Sequence, residues 1–252
     1  MIDVHCHLEQ KDYNKDREDV INRCRKELKA VITSAARFKD FNLTLSLAKE
    51  YPDFVFAILG LHPADIKELD EKIIADSIDF ISQNKEKIVA VGEVGLDYYW
   101  IKEQEQRKRQ KKLFERMIKL AKAINKPLVI HSREAGDETL DILQKEKAGK
   151  VLLHLFNTKE HIQRVIESNY SISIGPAILK SKDIRKIARD MPLEKIMLET
   201  DSPWFGFGAR NTPLAIRKVA EEIAKIRKLD FEEVWKTTGG NAINFFNLPL
   251  QI

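Results

Sequence analysis

The chain has 252 residues, 43% hydrophobic and 33% charged, with only 10 glycines and 8 prolines, a composition that suits a compact globular protein and excludes a disordered or collagen-like one. Its 43 Lys and Arg against 39 Asp and Glu leave a net charge of +4, too little for a wholly electrostatic nucleic-acid binder. Apolar runs such as Phe54 to Leu61 stop at about eight residues, short of the roughly 18 to 20 that cross a bilayer.

In chain order, eight β-branched or apolar runs read as strands: Ile2 to Leu8, Ala30 to Ala35, Phe54 to Gly60, Ile88 to Val94, Leu128 to His131, Val151 to Leu155, Ser171 to Ile174 and Ile196 to Glu199. Each is followed by a stretch long enough for a crossover helix. Leu113, Met117, Leu120, Ala121 and Ile124 form one helical stripe, and Ile162, Val165 and Ile166 another. Pro127 and Pro192 end helices just before the next strand. No Gly/Ser-rich or Pro-rich linker interrupts the alternation, so the expected architecture is α/β, a single TIM (β/α)8 barrel domain over residues 1–252. A dinucleotide-binding fold is disfavoured, because Glu9, Gln10, Lys11 and Asp12 stand where its glycine-rich turn would follow the first strand.

The chemistry-bearing residues fall at the C-terminal ends of these strands: His5 and His7 on the first, Glu93 on the fourth, His131 on the fifth, His154 on the sixth and Asp201 just after the eighth. In a parallel barrel all those ends open onto one rim, so residues nearly two hundred positions apart converge. Taken alone, Glu93 would serve as a helix cap and Asp201 as an N-cap or turn residue. Crowded together, four imidazoles and two carboxylates call for cations. A His-x-His pair puts both rings on one face, and imidazole with carboxylate favours Zn, Mn, Co or Fe over Ca. Six ligands exceed one tetrahedral site and suit two ions sharing a carboxylate. Cys6, between the two histidines, is expected to face the other way and to bind no metal.

Seven segments in register resemble the motifs of the TatD family of metal-dependent deoxyribonucleases: Ile2–Leu8, Gly60–Pro63, Gly92–Asp97, Val129–Arg133, His154–Phe156, Glu199–Pro203 and Arg210–Pro213. The tail from Gly240 to Phe246 looks like that family's closing segment, so the resemblance covers essentially the whole chain. It implies a first divalent ion held by His5, His7 and Asp201, a second by His131 and His154, and Glu93 bridging them in place of the carboxylated lysine of related amidohydrolase barrels. Zn, Mn or Mg would serve. Two departures bear on substrate fit: Leu155-Phe156-Asn157-Thr158 replaces a small or Gly-containing turn, and the loop after Pro203 carries Trp204, Phe205 and Phe207.

The expected function is therefore that of a metal-dependent hydrolase, foremost a deoxyribonuclease acting on single-stranded 3′ ends of DNA, with the polarity resting on the resemblance. Glu93 and Asp201 are the catalytic carboxylates, Asp201 relaying a proton from the attacking water. His62 and Arg133 are expected to bind substrate phosphate, the alternative for Arg133 being a salt bridge to Glu134 or Asp97. A small amide, lactone or phosphoester remains an alternative substrate, since a barrel does not fix one, and a noncatalytic binding barrel is the remaining class. Lys102 to Lys126 carries ten Lys or Arg and three Glu, either a solvated helix face or a phosphate-binding stripe. Trp204, Phe205 and Phe207 either stack on an unpaired base or pack on the rim. His161 is expected simply to be exposed. No membrane and no obligate protein partner is expected. With no room for a leader before His5, and with Cys6 and Cys24 as free thiols, a cytoplasmic location is expected.

Overall fold

The computed structural model describes residues 1–251. Eight strands, β1 (Ile2–Cys6), β2 (Ala30–Ala35), β3 (Val55–Leu59), β4 (Ala90–Asp97), β5 (Leu128–Arg133), β6 (Val151–Leu153), β7 (Ser171–Ile174) and β8 (Ile196–Leu198), pair in parallel in the order of the chain. Helices α1 (Arg17–Glu27), α2 (Phe41–Glu50), α3 (Glu71–Gln83), α4 (Gln104–Ala123), α5 (Gly136–Lys145), α6 (Ile162–Glu167) and α7 (Lys182–Asp190) alternate with them, and α8 (Ile216–Arg227) and α9 (Phe231–Phe246) follow β8. This is the expected barrel. Among the described residues, no helix is long and apolar enough to cross a membrane.

The strand side chains sort onto two faces. Ile2, Val4, Ala30, Ile32, Ile58, Ala90, Val129, Leu152 and Met197 fill the interior, with Ala242, Phe246 and Leu248 from α9 and its tail packed on that cluster. Their alternating neighbours, among them Val31, Val91, Leu128, Ile130, Leu153, Ile172 and Leu198, meet the surrounding helices. The barrel's seam closes through the polar residues of its mouth. Asp201 N–H donates to His5 O at 2.9 Å, His7 N–H to Ser202 O at 2.8 Å, and the buried Asp3 carboxylate accepts from Thr200 N–H at 3.0 Å.

Two strands depart from strict alternation, and both departures serve the mouth. Against β2, Asp3 and Cys6 pair with Val31 and Thr33, so β1 carries one extra residue. Against β5, Val91 and Val94 pair with Leu128 and Ile130, so β4 does the same. Such bulges turn neighbouring side chains to one face. Val4 and His5 consequently both point inward, while Cys6 turns out against Ile32 O, with Sγ 3.4 Å away. Cys6 and Cys24 are free and buried, and burial raises both thiols, that of Cys24 to about 12.

The strand ends shift from expectation accordingly. β1 stops at Cys6 instead of Leu8, β6 at Leu153 instead of Leu155, and β8 at Leu198 instead of Glu199. His7, His154, Glu199 and Asp201 therefore sit just beyond regular pairing, where their side chains turn to one another. β4 begins at Ala90 and runs to Asp97, so Glu93 lies within it. Gly95, at φ +143°, allows the close approach of β5, because a Cβ there would lie 2.0 Å from His131 O.

Candidate metal centre

Glu93 stands at the middle of the converging side chains. Its Oε2 is 3.3 Å from His5 Nε2, and its Oε1 is 2.7 Å from His131 Nδ1, 3.2 Å from His62 Nε2 and 3.6 Å from His154 Nε2. Asp201 Oδ1 approaches His7 Nε2 at 3.3 Å, His5 Nε2 at 3.8 Å and His154 Nε2 at 3.9 Å. The Nε2 atoms of His5 and His7 face each other at 3.1 Å, and the rings of His5 and His154 stack with centroids 3.8 Å apart. Asp201 has a left-handed backbone (φ +51°), which Asp tolerates better than most residues with a side chain. All six residues expected to hold metal thus meet in one place. His62, expected only as a substrate contact, lies in the cluster as well, 3.3 Å from His131 Nδ1.

Behind the imidazoles stands a set of carboxylates that sequence reading passed over. His7 Nδ1 donates to Glu9 at 3.2 Å, His154 Nδ1 to Glu199 at 2.7 Å, and His131 Nε2 to Asp97 at 2.9 Å. These are in turn held: Thr33 Oγ1 donates to Glu9 at 2.9 Å, Leu155 N–H to Glu199 at 2.7 Å, and Trp100 N–H to Asp97 at 2.7 Å. A carboxylate on one ring nitrogen fixes the tautomer and leaves the other nitrogen's lone pair for a cation, the usual arrangement around metal-ligating histidine. The freed nitrogens, Nε2 of His7 and His154 and Nδ1 of His131, all point into the cluster. The donor set therefore fits divalent ions. His5 differs, its Nδ1 being buried with no hydrogen-bond partner among the described residues. Asp97 and Glu199 stand inside the recognised motifs, and Glu9 follows His7 by two, so spacing from a histidine was the available signal.

The charges respond to this crowding. Burial opposes ionisation of Glu93, but the surrounding imidazoles, His62 and His154 foremost, outweigh it and hold the carboxyl well below its usual range. Burial also disfavours a charged His154, yet Glu199 and Glu93 lift it to about 9. His7 is raised in the same way against its burial, by Glu9 and Asp201, and His131 by Asp97 and Glu93. His5, deepest and stacked on His154, is lowered by burial and by that neighbour.

A cleft of about 650 Å³ opens over the cluster, with Trp100, Arg133, Asn157, Trp204 and Phe205 on its walls. Arg133 makes neither of the salt bridges considered for it. Glu134 pairs with Lys102 and Asp97 with His131, while the Arg133 guanidinium lies 3.8 Å over the ring of Tyr99. The basic face of α4 is largely engaged by the protein: Arg107 donates to Ile101 O at 2.9 Å, Arg109 to Leu69 O, and Arg116 pairs with Glu71 at 2.7 Å. This favours a solvated, paired helix face over a phosphate stripe. His161 is not simply exposed. Its side chain is 14% accessible, with Nε2 2.9 Å from Asp137 and the ring packed on Gly136, which has no side chain to exclude it.

A family model described as TatD related DNase matches residues 2–247. The chain is 34% identical over 258 residues to deoxyribonuclease TATDN3 of Homo sapiens, with 98% of this chain and 94% of that protein covered. It is 35% identical over 252 residues to an uncharacterized metal-dependent hydrolase of Methanocaldococcus jannaschii, covering 99% and 98%. The crystal structure of YJJV, a TatD homologue from Escherichia coli, is similar with a TM-score of 0.91 at 27% identity, over 99% of this chain and 98% of that one.

Proposed function

Because the chain belongs to the TatD family of metal-dependent hydrolases, we propose that it is a deoxyribonuclease that removes nucleotides from 3′ ends of single-stranded DNA, using two divalent ions. The observation that carries this reading is the placement of Glu93, whose two oxygens face different imidazoles, His5 at 3.3 Å and His131 at 2.7 Å, as a carboxylate shared between two ions requires. We assign His5, His7 and Asp201 to one ion, His131 and His154 to the other, and Glu93 to both. Zn, Mn or Mg bound there would supply Lewis-acid activation of water and of a phosphodiester.

The chain's own groups do the rest. Glu9, Glu199 and Asp97 hold the imidazoles in one tautomer and one orientation. Asp201, buried but bordering the cleft, accepts the proton of the attacking water and relays it outward. Arg133, flat on Tyr99 with no carboxylate from Glu134 or Asp97 to neutralise it, presents a planar fork of N–H donors to the phosphate. His62 adds a donor beside Glu93. The 3′ polarity follows the family resemblance.

Labelled single-stranded and duplex DNA, incubated with the purified protein with and without chelator, tests the proposal. Stepwise shortening from the 3′ end, abolished by chelator and restored by added metal, is the expected result. Hydrolysis of small amides, lactones or phosphoesters with DNA left intact would overturn it.

A further inference from the structure

Among the described residues, the large apolar side chains that are more than a third exposed are Leu43 and five aromatics, Tyr99, Trp100, Trp204, Phe205 and Phe207. The five lie in two loops, those following β4 and β8. In a closed sheet of eight strands in chain order, the fourth and eighth stand on opposite sides of the mouth. Exposed aromatics so confined mark a surface that binds something.

Each wall is held in place. On one side Trp204 sets its edge against His7, with ring centroids 4.6 Å apart, and is still 47% exposed. On the other, Trp100 is 62% exposed, packs edge to face on Tyr99 at 4.8 Å, and lies 5.6 Å from the Arg133 guanidinium. Trp100, Arg133 and Trp204 all line the cleft above Glu93. A flat ring with a planar cation beside it on one wall thus faces a second flat ring on the other, across the reacting position. Unpaired nucleotides offer the complementary groups: an anionic phosphate and, on either side of it, a π-faced base.

We propose that Trp204 and Trp100 each stack on one nucleobase, on opposite sides of the scissile phosphate, and that Arg133 receives the phosphate between them. The two tryptophans are then specificity-determining residues that admit bases only when these are out of a duplex stack. This inference rests on the deoxyribonuclease reading.

The test uses metal-loaded protein and single-stranded oligodeoxynucleotides that are intact or carry one abasic residue at the terminal or the penultimate position. Trp204→Ala and Trp100→Ala are expected to raise KM on intact DNA by about 5- to 150-fold, the equivalent of about 1–3 kcal/mol per stacked base. Each should have little further effect on the substrate that already lacks its partner base, and the two variants should respond to different abasic positions. Trp204→Phe and Trp100→Phe should recover most of the loss, which separates stacking from a disturbance of His7 or of folding. If wild-type protein cuts DNA but treats abasic and intact strands alike, or if the Ala variants lose kcat at unchanged KM, the stacking proposal is overturned while the deoxyribonuclease reading stands. If wild type cuts no DNA, both fall.

Discussion

His154 and Glu199 meet at 2.7 Å between Nδ1 and Oε2, and the second oxygen of Glu199 accepts from Leu155 N–H, also at 2.7 Å. The carboxylate thereby fixes which nitrogen of His154 is free to face Glu93 and Asp201. Glu199→Gln keeps the volume but removes the charge that steadies this tautomer. Metal affinity should fall roughly 10- to 100-fold, as for other outer partners of ligating histidines. Competitive titration with a chromophoric chelator measures it, and an unchanged affinity would show that His154 does not act through Glu199.

Asp201 differs from Glu93 in that Oδ1 alone faces the imidazoles, whereas both Glu93 oxygens do, and in the greater exposure of its side chain, 10% against 4%, which suits proton transfer more than bridging. Asp201→Asn should lower kcat by roughly 10²- to 10⁴-fold, the range for loss of a general base. DNA affinity should change far less. Turnover and equilibrium binding measured on one oligonucleotide separate the two, and equal losses would point to a positioning role.

Protons and metal compete for the same nitrogens. In the metal-free protein, burial disfavours a charged His154 but Glu199 and Glu93 raise it to about 9, and His7 and His131 are raised in the same direction. Groups raised on folding contribute stability that is complete below their ordinary value near 6.5 and is lost as pH climbs through the folded value. Metal-free protein should therefore lose melting temperature between about pH 6.5 and 9. Metal affinity should rise across the same window as protons leave. His5, lowered by burial, titrates below it. Calorimetric metal titrations at several pH values check the sign, and an affinity that falls with pH would contradict it.

At Gly95 the backbone has φ +143° and a Cβ would lie 2.0 Å from His131 O. Gly95→Ala should destabilise by more than about 1 kcal/mol. Because the clash is with His131 itself, metal affinity should fall too. Denaturant melts with a metal titration read both effects, and loss of neither would mean that β4 and β5 can separate without cost.

The barrel was legible because eight apolar runs alternate with longer amphipathic stretches, a pattern that packing enforces along the whole chain. The six proposed ligands stood out because each is a histidine or carboxylate at or just beyond the end of an expected strand. What spacing could not convey was the extra residue in β1 and in β4, since a bulge is visible only in the register with the neighbouring strand. Glu93 was expected near the end of a strand closing at Val94 and instead lies within β4, which continues past Gly95 to Asp97. Glu9, Asp97 and Glu199 were hidden for a related reason: buried carboxylates look like surface ones until the histidine beside them is located. Arg133 shows the same limit. Its sequence neighbour Glu134 turns instead to Lys102, and the aromatic ring beneath the guanidinium comes from the adjoining strand's loop.

The metal content of the reconstituted protein, wild type beside Glu93→Gln, measures the central claim most directly. Elemental analysis after removal of free metal should find two divalent ions per wild-type chain and a marked loss in the variant, with DNA cleavage lost in parallel. A variant that keeps wild-type occupancy, or a wild-type chain that holds no ion and cuts DNA in the presence of chelator, would contradict the account.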